Sequence, residues 1–131
     1  MKYILMMNAP KAGVDGYRAW PKKDIEAHTA FLMNLSRELS NSGEFVATER
    51  LGLPHHAQVV RAGKNGVPIT DGVFPEAKEF LLGYWMVDVE SPERAYEIAG
   101  RISGGPGPGG VTLSMPIEVR QVMGRAPEEP L

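Results

Sequence analysis

The chain contains no cysteine. That excludes disulfides, thiol nucleophiles and cysteine-ligated zinc or iron–sulfur centres, and it fits a reducing compartment. No apolar run approaches the roughly 18 residues that a membrane-spanning helix needs. The opening stretch Met1–Met7 is too short for a secretory signal and meets polar Asn8 at once. Clustered positive charge is missing as well. Lys and Arg number 14 against 16 Asp and Glu, a formal net charge of -2, and the basic residues are scattered singly. A nucleic-acid surface needs them gathered. The expectation is a small cytoplasmic protein whose partners include neither nucleic acid nor a membrane.

What is present suits one folded domain. The 131 residues are 43% hydrophobic and 23% charged. A chain of that length buries roughly two-thirds of its unfolded surface and needs no staples. The 15 glycines and 11 prolines fall in clusters between apolar-periodic segments, so they read as loops rather than disorder.

Hydrophobic periodicity then lays out the elements. Residues 2–7 are apolar on both alternating faces, as in a strand covered on two sides. Residues 8–21 hold Pro10, Gly13, Gly16 and Pro21 and read as a loop. Residues 22–42 form the strongest helix, with Ile25, His28, Leu32, Leu35 and Leu39 along one arc and Gly43 as its stop. A strand follows over 45–51. Residues 58–62 and 67–70 make a hairpin around Lys64-Asn65-Gly66, because Asn-Gly tolerates the positive φ of a tight turn. Residues 75–80 suggest a helical turn and 81–89 a strand. Ser91-Pro92-Glu93 is a helix start, with a hydroxyl cap, proline in the first turn and an acid at the positive dipole end. A Gly/Pro loop over 103–110, read as a flexible connector, leads to a last strand over 111–122.

That order is β–α–β–(hairpin)–β–α–β. Two helices cover only one face of a four-stranded sheet, yet the first and fifth strands are apolar on both. The simplest cover for the second face is another copy. The inference is an α+β, ferredoxin-like βαββαβ sandwich with an inserted hairpin, paired sheet to sheet as a homodimer.

Candidate chemistry is sparse. Gly104–Gly110 is not a phosphate cradle, since it follows a helix and enters a strand, the reverse of the order a phosphate loop needs. His55 and His56, adjacent on an extended segment, point to opposite sides, and no metal-binding spacing exists. No metal or organic cofactor is expected. His28 stands out because it sits in the apolar arc of its helix. Burial disfavours the imidazolium, so an isolated His28 is neutral near pH 7 and able to act as a base. A core histidine with one hydrogen-bond partner is the alternative. Asp71-Gly72 is by itself turn chemistry.

The run Asp71-Gly72-Val73-Phe74-Pro75-Glu76-Ala77-Lys78-Glu79, then Leu82-Gly83-Tyr84, then Ile117-Glu118-Val119-Arg120, resembles the YCII-related family, specifically its DGPF-domain branch. The resemblance runs from Met1 to Met123, with 124–131 as a loose tail. Val73 and Gln121 stand where that branch usually has proline. The resemblance implies a dimeric α+β barrel and an active-site pair matching His28 and Asp71. Some relatives resemble lactone-processing enzymes.

Two functions follow. In the first, His28 moves a proton on a small carbonyl or lactone substrate and Asp71 orients it. Glu76, Lys78, Glu79, Tyr84 and Arg120 hold the ligand in this reading, and no cofactor is needed. In the second, the same polar block braces a non-catalytic ligand-binding or regulatory dimer.

Overall fold

A computed structural model describes residues 1–72 and 78–125. Its main sheet has the order β2-β5-β1-β6 and is built from β1 (Lys2–Pro10), β2 (Phe45–Arg50), β5 (Glu79–Asp88) and β6 (Ile117–Gln121). Every neighbouring pair is antiparallel. With helices α2 (Lys22–Ser42) and α3 (Pro92–Ser103) between the strands, this is an α+β chain consistent with a ferredoxin-like fold. A separate hairpin, β3 (Gln58–Ala62) and β4 (Pro68–Gly72), is inserted between β2 and β5.

The core lies between one face of the sheet and the two helices. Tyr3 and Leu5 of β1 and Trp85 and Val87 of β5 meet Leu35 and Leu39 of α2 and Ala95, Ile98, Ala99 and Ile102 of α3. Phe45 sets its ring edge-on to Trp85, with centroids 6.4 Å apart, an arrangement the aromatic quadrupoles favour. The alternate residues Ile4, Met6, Leu82, Tyr84 and Met86 face the other way, half-buried and outside that cluster.

Local chemistry fixes the helix ends. Gly43 takes φ 80°, and the amides of Gly43 and Glu44 donate to the carbonyls of Ser40 and Leu39, which is the Schellman closure that spares the last carbonyls of α2. At the start of α3 the Arg94 amide donates to Ser91 Oγ at 3.2 Å. The Arg94 side chain then grips Glu44 through two bonds, Nε to Oε2 at 2.8 Å and Nη2 to Oε1 at 2.9 Å. This fork ties α3 to the exit of α2 and holds the Glu44 carboxyl below the usual carboxylate range.

Several segments differ from the sequence reading. Residues 8–21 are not a loop: β1 continues to Pro10, and Lys11–Arg18 is a further helix, α1. Its two glycines argue against helix locally, but Val14 is buried, and tertiary packing overrides propensity. Because β1 runs on, Ala9 and Pro10 pair with Phe80 and Glu79, drawing those two into β5 instead of a helical turn. The last strand is shorter than 111–122. Ser114 has φ 53° and Pro116 lacks an amide hydrogen, so regular pairing begins only at Ile117. Residues 103–110 are no flexible connector. The Gly107 amide donates to Val111 O at 2.7 Å and the Leu113 amide to Gly105 O at 3.0 Å, closing a small ordered hairpin with Gly109 and Gly110 at its tip. His55 and His56 do not diverge either. Pro54 opens a 3-10 turn over Pro54–His56, and the two rings lie with centroids 3.9 Å apart. The tail expected over 124–131 lies outside the described residues from 126 onward.

Candidate functional site

His28 is held where spacing along α2 puts it, on the face that carries Leu32, Leu35 and Leu39. Only 7% of it is exposed. Its Nδ1 lies 3.1 Å from the carbonyl oxygen of Pro106, a contact across 78 residues of sequence. A carbonyl only accepts, so Nδ1 carries the hydrogen and the lone pair belongs to Nε2. Among the described residues Nε2 has no hydrogen-bond partner. None of their side-chain nitrogens or oxygens is both sealed from solvent and unpartnered.

Two forces act on this ring's acidity. Burial lowers its pKa from the ordinary value of 6.5, and the Pro106 carbonyl pushes back more weakly. Burial wins, and His28 is a neutral imidazole near pH 7. Trp20, at the turn between α1 and α2, presents its ring edge-to-face at 5.8 Å. Asp24, one helical turn before His28, is buried on the same face at 9% exposure. An acid in the first turn of α2 also complements the positive end of the helix dipole.

The other sequence-predicted residues lie elsewhere. Asp71 is on the exposed β4 strand and pairs with Arg61 Nη2 at 3.0 Å across the hairpin. His28 and Asp71 make no hydrogen bond with each other among the described residues. Lys78 and Glu79 are exposed at the entry to β5, where Glu79 stands opposite Pro10. Tyr84 alternates with Trp85 and so belongs to the sheet face away from the core. Arg120 shares that face, and it forms no ion pair with Glu118, which instead takes a weak bond from Asn8 Nδ2 at 3.4 Å. Glu76 lies outside the described residues. Tyr84 and Arg120 thus share one face of the sheet, while His28 lies on the helix side.

Open surface recesses occur elsewhere among the described residues. One, of about 480 Å³, is walled by Leu51, Leu53, Phe80 and Leu81 with His56 and Glu79 at its edge. Another, of about 670 Å³, lies beside Glu44, Asp88 and Arg94. Neither is lined by His28.

Sequence reasoning missed Asp24, Trp20 and the Gly105-Pro106 step. Asp24 was within reach, because residues four apart share a helix face. The loop carried no local signal, since its role depends on a contact with a distant helix.

These features define an antiparallel α+β domain with one polar, partnered imidazole set into the seam between its first long helix and a Gly/Pro loop. The chain belongs to the YCII-related domain family, whose model matches residues 1–108. It is also similar to an uncharacterised protein of Rhizobium meliloti (strain 1021), 29% identical over 85 residues, which cover 65% of this chain and 68% of that one. No helix among the described residues is long and apolar enough to cross a membrane.

Proposed function

We propose that this protein is a cofactor-independent proton-transfer enzyme acting on a small carbonyl- or lactone-like molecule, with His28 as its acid–base group. One observation carries the reading: a buried neutral imidazole whose Nδ1 is committed to the Pro106 carbonyl, leaving Nε2 with the lone pair. A base of this kind accepts a proton from a carbon next to a carbonyl; returning it to another carbon of the resulting enolate is isomerisation, and handing it to a group expelled from the β-carbon as the double bond forms is elimination. Trp20 offers an apolar wall beside the ring, and Asp24 is a second buried polar group one turn away.

Homodimerisation is part of the same proposal. Ile4, Met6, Leu82, Tyr84 and Met86 give the outer face of the sheet an apolar stripe, and a second copy laid sheet to sheet covers it, with Glu118 and Arg120 at the rim. The polar block from Asp71 to Glu79 supports a place in the DGPF branch of the family.

The test is a metabolite-library thermal-shift screen. A carbonyl or lactone compound is expected to raise the melting temperature by several degrees at saturation, and His28→Ala, still folded, to lose that shift. A His28→Ala protein that is strongly destabilised yet responds to the same compound would make His28 a core residue only. The Asp71–Arg61 pair favours a second reading, in which Asp71, Lys78 and Glu79 brace the hairpin of a non-catalytic binding or regulatory dimer. Unaltered ligand response in both His28→Ala and Asp71→Asn would select it.

A further inference from the structure

The Gly/Pro loop after α3 does more than connect. The Gly105 amide donates to Ile102 O at 3.2 Å, continuing the end of the helix, while Gly105 O accepts from the Leu113 amide at 3.0 Å. The Gly107 amide closes on Val111 O at 2.7 Å. Pro106 is therefore clamped from both sides, and its carbonyl is the one that meets His28 Nδ1.

Gly105 is buried against the same ring. A Cβ built there would stand 3.2 Å from His28 Cε1 and 3.3 Å from Nδ1, tighter than ordinary van der Waals contact. Its φ lies outside the left-handed region, so the backbone imposes no need for glycine. The imidazole does press on the site: a side chain there would have to push the ring back by a few tenths of an ångström. Glycine is favoured here by a close approach rather than by a turn.

We propose that Gly105 and Pro106 are the positioning residues of the His28 site. The Pro106 carbonyl selects the Nδ1–H tautomer, and the missing side chain at Gly105 lets the ring lie close enough to make that bond. Trp20, edge-on to the ring, limits its swing. The loop thereby decides which nitrogen is basic, without touching whatever is bound. The inference rests on the reading of His28 as the acid–base group, but its measurement does not.

The experiment is nitrogen NMR of the intact, ¹⁵N-labelled protein at about pH 8, where a depressed imidazole is neutral. His55 and His56 serve as internal comparisons. In the unaltered protein His28 should be Nδ1-protonated by a ratio of about tenfold, the preference one good neutral hydrogen bond supports. Gly105→Ala should bring the ratio toward one, and Gly105→Val further. Pro106→Ala keeps the carbonyl and should leave it unchanged. The first measurement needs no substitution, so it stands even where Gly105→Val fails to fold. A native ring protonated at Nε2, or a folded Gly105→Ala with the native ratio, overturns the proposal. An Nδ1–H ring in a protein whose ligand response ignores His28→Ala sinks the proposed function and leaves the positioning intact; the reverse pair of results does the opposite.

Discussion

Burial and a backbone carbonyl act on His28 in opposite directions, and burial is the larger. The consequence for stability has a definite sign. The folded state holds its proton less tightly than the unfolded chain, so the unfolded chain binds more protons as pH falls. Stability is complete above the unfolded value of 6.5 and is lost as pH drops below it toward the lowered folded value. Urea melts between about pH 8 and 5 should show this decline in the native protein, and His28→Gln should flatten it over the same window. An identical pH slope in both proteins would mean another group is titrating. The face on which His28 sits is legible from its spacing to Leu32 and Leu35. Its partner is not, because no rule of local sequence brings Pro106 to it.

The elements show how closely local chemistry can be read where it acts alone. The Ser91 cap, the Asn65-Gly66 turn and the Gly43 stop all stand where residue type predicts. Gly43→Ala should cost about 1 kcal/mol or slightly more, because an L-residue with a Cβ resists the left-handed conformation, and a lower melting temperature with unchanged secondary structure would check it. Little change would mean α2 can end another way. Local reading fails where pairing or packing reaches in from elsewhere. Lys11–Arg18 is helical despite Gly13 and Gly16, since Val14 buries itself. Glu79 and Phe80 are strand because the end of β1 lies beside them.

At the scale of the whole molecule the open face of the sheet is the outstanding feature. One face is filled by Leu35, Leu39 and the apolar stripe of α3, and the other carries Ile4, Met6, Tyr84 and Met86 half-buried. Under the sheet-to-sheet proposal, sedimentation at micromolar concentration should give about twice 14.3 kDa. Met86→Lys should give the monomer mass with the aromatic circular dichroism of Trp85 and Phe45 retained, since a charge at that position opposes a partner and not the core. A native protein that sediments as a monomer removes the second copy from the account.

Composition and periodicity by themselves determined the α+β class, the order of the main strands with the two long helices between them, and which residues of α2, α3 and β5 face inward; they left out α1. Those properties follow from where apolar side chains recur along the chain, and recurrence is local. The tertiary structure alone decided that the imidazole of His28 is bonded to Pro106, that Gly105 lies close against that ring, and that Asp71 turns to Arg61. Each of those is a contact between segments that sequence distance does not relate, set by how a helix and a loop come to rest against one sheet.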